Sequence, residues 1–395
     1  MISLRGRALS ATLDRPLTRE LWRLVSDKIP GPDEAVIGSG GGTLNVVRSG
    51  GDAGPNTVVL PPHLDHLDGG DIIAVSPDGR RIEVLWRARS RHNSLLLTER
   101  CDNYCLMCSQ PPKERDDSRL LRRASALVRM LPPTAHELGF TGGEPTLYGS
   151  GLVSLLRTAT QCLPDTEFHL LSNGRRFADP GFTAEYASVR NPRLMVGIPL
   201  FGAEPSLHDY VVQARGAFDE TVSGILALAQ HRQRIEIRVV LQKNTAPAIV
   251  EIAGFIARNL PFVEKVALMG LEMTGLARAN LAEVWTDPYE YRNELAEAAL
   301  LLRHAGIRTD IYNHQLCVLP RRVWPLAVRS ISDWKNEYLS ACMSCSVQEA
   351  CGGLFASSAK HRHSDHIAAI PHPTPRAREA ISSAQPQDMV MPAPP

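Results

Sequence analysis

The chain has 395 residues, 44% apolar and 22% charged, enough for a sizeable core and for more than one domain. Its 43 basic and 42 acidic residues leave a net charge of +1, which excludes a global field that would recruit nucleic acid or anionic lipid. No apolar window is long enough to span a bilayer, and the opening MISLRGRALSATLDRP lacks a signal-peptide core, so the reading is a cytoplasmic protein with no nucleic-acid or membrane partner.

Residues 1–92 are read as a separate β-rich module. VVLPPH, DIIAVSPDG and RRIEVLWRA are short β-branched and apolar runs cut by Pro, Gly and Asp. Ser39 to Gly42 and SGGDAGPN (49–56) are loop chemistry, and Thr18 to Val25 is the one stretch with a helical period. Arg80, Arg81, Arg87, Arg89 and Arg91 read as a solvated strand edge.

From 93 to 312 short apolar runs alternate with amphipathic segments. SLLLT precedes DSRLLRRASALVRML, HELGFTG precedes GSGLVSLLRTATQC, and EFHLLSNG precedes a weak helix at FTAEYASV. RLMVGIPLFG with AFDETVSGILALAQHR, IEIRVVLQ with PAIVEIAGFIARNL, and FVEKVALMG with PYEYRNELAEAALLLRHAG complete six pairs. Such alternation predicts an α/β fold with a parallel sheet, here a partial (β/α)6 TIM barrel with chemistry at the C-terminal strand ends. Residues 313–358 are irregular, and 359–395, rich in Pro, Ala, Ser and Gln, are expected to form a disordered tail.

The eight cysteines are unevenly spread, at 101, 105, 108, 162, 317, 342, 345 and 351. In a reducing compartment such groups point to metal rather than disulfides. Cys101, Cys105 and Cys108 follow the first predicted strand. Three thiolates suit three irons of a four-iron, four-sulfide (4Fe-4S) cube and leave the fourth iron open. After the second strand comes GFTGGEPTLYG, where glycines allow close backbone approach and Glu144 can receive an amine. Cys162 reads as a buried thiol.

C-x3-C-x2-C after one strand and GGEP after the next resemble the radical S-adenosylmethionine (SAM) superfamily. The resemblance covers roughly 93–352. It implies that Cys101, Cys105 and Cys108 hold a 4Fe-4S cluster whose open iron chelates SAM. It further implies that Gly142, Gly143, Glu144 and Pro145 form the stretch contacting the SAM amine. Electron transfer then yields a 5′-deoxyadenosyl radical that abstracts a substrate hydrogen. Met107 stands where the family often carries an aromatic residue near the adenine. Ser172 and Asn173 in LLSNG, Pro199 in GIPLFG, and Arg238 in IEIRVVLQKN match later strand-end positions. Arg238 (with Asn244) offers a partner for the SAM carboxylate, and Glu272 faces SAM or substrate; packing and turn roles remain alternatives for all of these.

Cys317, Cys342, Cys345 and Cys351 resemble a reduced SPASM or twitch region, with Phe355 where a further cysteine would stand, and imply an iron-sulfur extension with a second 4Fe-4S cluster. Zinc on the same ligands is the alternative. TERCDNYCLMCSQPPKERDD, the β-rich leader and the short second group together resemble the C-type member of the His-Xaa-Ser system radical SAM maturases. That implies a ribosomally made peptide substrate, a partner radical SAM maturase and an electron donor such as flavodoxin or ferredoxin. The leader module would help to dock the peptide by strand addition. The other readings are a radical SAM enzyme of small-molecule cofactor biosynthesis and a zinc-stabilised scaffold without catalysis.

Overall fold

The computed structural model describes residues 5–26, 34–37, 44–51, 54–329 and 336–371. The predicted loop at Ser39 to Gly42 and the tail from 372 lie outside the described residues.

The N-terminal module is a mixed sheet of β1 (Arg5–Arg7), β2 (Ser10–Thr12), β3 (Leu21–Val25), β4 (Glu34–Ile37), β5 (Asn45–Val47), β6 (Thr57–Val59), β7 (Ile72–Val75) and β8 (Arg81–Trp86). Its strand order is β1-β8-β7-β3-β4-β5-β6-β2. The two end strands are consecutive halves of one segment: residues 5–7 pair with β8 and residues 10–12 with β6, so the sheet closes on itself. Among the described residues a single bend at residues 8–9 joins the two strands at the ends of the order.

Thr18 to Val25 forms no helix; residues 21–25 are β3. The reason is visible in the packing. Leu21 joins the large core of the second sheet, while Trp22 and Leu24 fill the module interior. In the same way Ile72 and Ala74 face outward to the large core, and Ile73 and Val75 face inward. Period-two alternation between two apolar environments overrides a weak helical pattern. The module is thus joined to the rest through a shared core, reinforced by Arg123, which donates to Glu83 at 2.8 Å and Glu20 at 3.2 Å.

The second sheet has eight parallel strands in chain order: β9 (His92–Thr98), β10 (Glu137–Gly142), β11 (Glu167–Leu171), β12 (Leu194–Pro199), β13 (Arg234–Leu241), β14 (Lys265–Gly270), β15 (Arg308–Tyr312) and β16 (Ala327–Val328). The helices are α1 (Ser118–Val128), α2 (Ser150–Cys162), α3 (Pro180–Ala187), α4 (Pro205–Val212), α5 (Ala217–Gln230), α6 (Ile249–Asn259), α7 (Gly275–Ala279), α8 (Leu281–Val284), α9 (Arg292–His304) and α10 (Ala356–His361). The fold is mixed α/β with an all-parallel sheet, and it has two more strands than the six pairs predicted. β15 escapes a search for apolar runs because Thr309 and Ile311 face the helices while Asp310 and Tyr312 meet Lys265.

One face of this sheet is apolar. Leu95, Leu97, Leu138, Phe140, Phe168, Leu170, Val196, Ile237, Val239, Val266 and Leu268 pack beneath the helices, in the core that also takes Leu120, Ala124, Leu127 and Val128 of α1 at helical spacing. The alternate residues, among them Ser94, Gly139, His169, Met195, Glu236, Arg238 and Lys265, face the opposite way, most of them lining a cavity of about 790 Å³. Every strand from β9 to β15 contributes to that cavity, so the sheet curves around it. Among the described residues no helix is long and apolar enough to cross a membrane.

Candidate active site

The cysteine loop begins where β9 ends. Buried Asp117 holds this corner, accepting from Thr98 Oγ1 at 2.9 Å, from Tyr148 OH at 2.7 Å and from the Glu99 N–H. Burial pushes its carboxyl up, but those donors and Arg100 outweigh that and hold it below the usual range. Beyond Arg100, Cys101, Cys105 and Cys108 all line the cavity.

Three other elements fix the loop. The N–H groups of Tyr104 and Leu106 donate to the carbonyls of Val212 and Val211 at the end of α4, at 3.0 and 2.9 Å. The Leu276 N–H of α7 donates to the Cys108 carbonyl at 2.8 Å. From the end of β11, Asn173 Nδ2 donates to Asp102 Oδ1 at 2.6 Å, and Arg175 Nη1 donates to the Asp102 carbonyl at 2.8 Å and to Asn103 Oδ1 at 2.9 Å. Arg175, itself tied to Glu220 of α5 at 2.6 Å, is a loop-positioning residue that motif reading missed. Its partners lie 72 and 73 residues away, so no local signal marks it.

Burial pushes the Cys101 thiol up to about 12 and raises Cys105 further and Cys108 as well. Thiols in such surroundings ionise when a metal centre supplies the compensating charge. Among the described residues no three of His, Cys, Asp and Glu are grouped as ligands of one metal ion. A cube asks for a different arrangement, one thiolate for each of three irons. The donor set, three thiols lining one cavity at the strand ends, fits that group.

Gly142 and Gly143 line the same cavity, but the space they leave is already filled. A Cβ at Gly142 would lie 2.6 Å from the Thr98 carbonyl oxygen, and one at Gly143 would lie 2.1 Å from that of Arg100. The glycines thus seat β10 against the start of the cysteine loop, with the Gly143 and Glu144 N–H groups donating to Thr98 and Arg100 at 2.8 and 2.7 Å.

Glu144 is buried, and its carboxylate is fully engaged within the protein. It accepts from the Thr146 N–H at 3.0 Å, Thr146 Oγ1 at 2.6 Å, Ser172 Oγ at 2.9 Å and the Asn173 N–H at 2.6 Å. Burial, the largest influence, raises its pKa. The side chain therefore ties the end of β10 to the end of β11, and Gly142, Gly143, Ser172 and Asn173 are the cavity-lining residues of this group. Pro145 starts the buried 3-10 turn that follows. Glu144→Ala would leave these donors unpaired, at about 1–3 kcal/mol for each that stays dry. The expected outcome is weaker SAM binding by calorimetry with iron content held near wild type; iron loss equal to that of a cysteine variant would refute it.

Pro199 and Arg238 face one another across β12 and β13 and both line the cavity. Arg238 Nη1 lies 3.7 Å from Glu236 Oε1, and Nη2 contacts Met269 Sδ at 3.2 Å. Deeper in the cavity lies a set of residues that the motifs did not announce. Glu236, nearly buried, meets Lys265 Nζ at 3.2 Å and His169 Nε2 at 3.5 Å, and Lys265 also reaches Asp310 at 3.0 Å and Tyr312 OH at 2.7 Å. Burial pushes His169 down to about 4 despite Glu236. Burial works to raise Glu236, and the cations around it hold it low. Their signal was polar residues at every second position of EFHLL and RIEIRVVL, invisible to a search for apolar runs.

The second cysteine group also converges. Cys317, Cys342, Cys345 and Cys351 line one small cavity together with Ile367 and Ala368. The Leu316 N–H donates to Cys351 Sγ at 3.5 Å, and Gln315 Nε2 donates to the Gly353 carbonyl at 2.8 Å. Four thiols on one cavity are a donor set that suits a closed iron-sulfur site and equally a structural zinc. Cys162 lies apart, half-buried against the main core.

With both cysteine groups in view, the comparison with known families applies to the part that carries the first of them. Residues 95–256 match the radical SAM superfamily. The matched segment runs from β9 through α6 and contains Cys101, Cys105, Cys108 and the Gly142–Gly143–Glu144 stretch. No curated protein matches the sequence. Among solved structures, SuiB of Streptococcus suis bound to its precursor peptide SuiA aligns at 13% identity over 57% of this chain and 49% of that one, with a TM-score of 0.45. The same enzyme bound to S-adenosylmethionine aligns at 16% identity over 64% and 56%, with a TM-score of 0.44. A radical SAM methyltransferase from Sphaerobacter thermophilus aligns at 17% identity over 63% and 74%, with a TM-score of 0.43. The chain spans about half the length of the SuiB chains.

Proposed function

We propose that this chain is a radical SAM enzyme that modifies a ribosomally made peptide of the His-Xaa-Ser repeat type. The observation that carries the reading is the convergence of Cys101, Cys105 and Cys108 with Gly142, Gly143, Ser172 and Asn173. All lie on one cavity, at the C-terminal ends of consecutive parallel strands. The superfamily match over 95–256 supports the radical SAM part of this reading. The 4Fe-4S cluster and SAM, when bound, supply a 5′-deoxyadenosyl radical able to abstract a substrate hydrogen.

The residues around them bind, orient and exclude water. Cys101, Cys105 and Cys108 hold the cluster, and the backbone of Gly142 and Gly143 borders SAM. Glu144 acts through Ser172 and Asn173 as a positioning residue, and Arg238 pairs with the SAM carboxylate. Below them Glu236, His169 and Lys265 offer a polar floor to the substrate side chain. Cys317, Cys342, Cys345 and Cys351 hold a second 4Fe-4S cluster in the extension after residue 312. The peptide reading rests on the likeness of residues 98–117 to the C-type maturases. It brings with it a partner radical SAM maturase and a flavodoxin or ferredoxin as electron donor.

The test is co-expression with a candidate His-Xaa-Ser peptide, with and without the partner maturase, followed by mass spectrometry of the peptide. A small mass loss that disappears in Cys105→Ala is expected. An unchanged peptide in every combination, with SAM cleavage intact in the isolated enzyme, would reject the peptide and favour a small-molecule substrate.

A further inference from the structure

The segment after α10 looks from its composition like the start of a disordered tail, yet its described part, residues 362–371, returns to the second cysteine site. Its course is pinned by side chains far away in sequence. The Arg362 guanidinium lies over the Trp285 ring at 5.0 Å, and His366 stacks on Tyr289 with centroids 3.6 Å apart and planes 14° from parallel. Tyr289 is covered in turn by Arg292, 3.4 Å from its centroid. Between these anchors Ser364 is buried, and its Oγ accepts from the His366 N–H at 3.1 Å.

From there the chain runs across the thiols. Ile367 and Ala368 line the small cavity with the four cysteines, and the Ala368 backbone N–H donates to the Cys317 sulfur. The Ile370 N–H donates to Cys345 Sγ at 3.4 Å, and the Ser346 N–H donates back to the Ile370 carbonyl at 2.9 Å. Backbone N–H groups aimed at thiolates spread their negative charge and help to set the potential of the metal group they hold, and a covering segment keeps solvent from it.

We propose that residues 362–371 are a strap that completes the second cysteine site, held by Arg362 and His366 against Trp285 and Tyr289 and donating the Ile370 N–H to Cys345. This rests on reading Cys317, Cys342, Cys345 and Cys351 as holders of an iron-sulfur cluster. The strap belongs to the cluster's inner surroundings, so the cluster's iron retention and potential depend on it while the first cluster's do not.

The test compares four proteins reconstituted anaerobically: the whole chain, a chain ending at residue 371, a chain ending at residue 361, and the full-length double variant Arg362→Ala/His366→Ala. Iron and acid-labile sulfide are measured before and after a short exposure to air, with EPR-monitored redox titration of each protein. The whole chain and the chain ending at 371 should keep about eight irons, two four-iron clusters. The chain ending at 361 and the double variant should lose about half of the iron in air and show a shifted potential for one cluster. Their SAM-sensitive EPR signal, which belongs to the first cluster, should be unchanged. Iron retention and potentials equal to the whole chain in both variants would overturn the strap while leaving the second cluster standing. If the whole chain holds about four irons and Cys342→Ala changes nothing, the cluster reading fails and takes the strap with it. Should the shortened chain lose the first signal too, the double variant, which keeps the full chain, decides.

Discussion

Cys105→Ala should abolish reductive SAM cleavage while leaving the fold in place. Among the first three cysteines, burial raises the Cys105 thiol most, and it sits between Cys101 and Cys108 in the loop. The loop itself does not depend on that sulfur. Its turn is closed by the Cys108 N–H donating to the Cys105 carbonyl at 3.0 Å, a bond that alanine keeps. Its outer contacts run through Asp102, Asn103, Tyr104 and Leu106 instead. Removal of the thiol leaves a cube with two of its three protein ligands. On the proposed two-cluster assignment, reconstituted protein should hold about four irons instead of about eight, all in the second site. 5′-Deoxyadenosine formed under dithionite should drop to the level without enzyme, and circular dichroism should match wild type. Continued SAM cleavage by Cys105→Ala would remove the basis for assigning the cluster to this loop.

Gly143→Ala should be the most damaging small substitution in the first site. The φ of Gly143 is not in the left-handed region, so the requirement is for space. An added Cβ would stand 2.1 Å from the Arg100 carbonyl oxygen, 2.6 Å from its carbon and 3.0 Å from the Cys101 Cβ. Two of these are backbone atoms at the mouth of a parallel strand pair, which cannot rotate away as a side-chain end would. Overpacking of this kind costs about 3 kcal/mol. A fall in Tm of roughly 5–10 °C is expected by calorimetry. Because the displaced residues are Arg100 and Cys101, iron incorporation into the first site should fall with it. A variant of wild-type Tm and iron content would mean that the β9–β10 junction yields more easily than close-packed backbone allows.

Much of this was legible from residue order because it depends on local spacing. C-x3-C-x2-C, GGEP and LLSNG carry their chemistry within a few residues, and β9 to β14 announce themselves through apolar residues packed under helices. What stayed hidden depends on partners distant in the chain. β15 carries Asp310 and Tyr312 on its inner face and so lacks an apolar run. Leu21 to Val25 alternates between two cores, which no single-segment pattern reveals. Glu144 looks like a ligand residue in the motif, and its further role as an acceptor for Ser172 and Asn173 at the end of the next strand depends on residues 28 and 29 positions away. Residues 362–371 have a tail's composition, but Trp285 and Tyr289, some 77 residues earlier for each ring contact, decide their course.

The anchoring of Asp102 and Asn103 by Asn173 and Arg175 bears on the order of events during folding. These contacts bridge 71 to 73 residues, so the loop gains its shape after β10, α2 and β11 have assembled. Until then the three thiols belong to a floppy peptide, free to bind stray metal or to oxidise. On the proposed assignment, iron delivery to this chain would be a late step, made into a socket that the polypeptide has already built, and a mutation at Arg175 should be felt first as slow maturation.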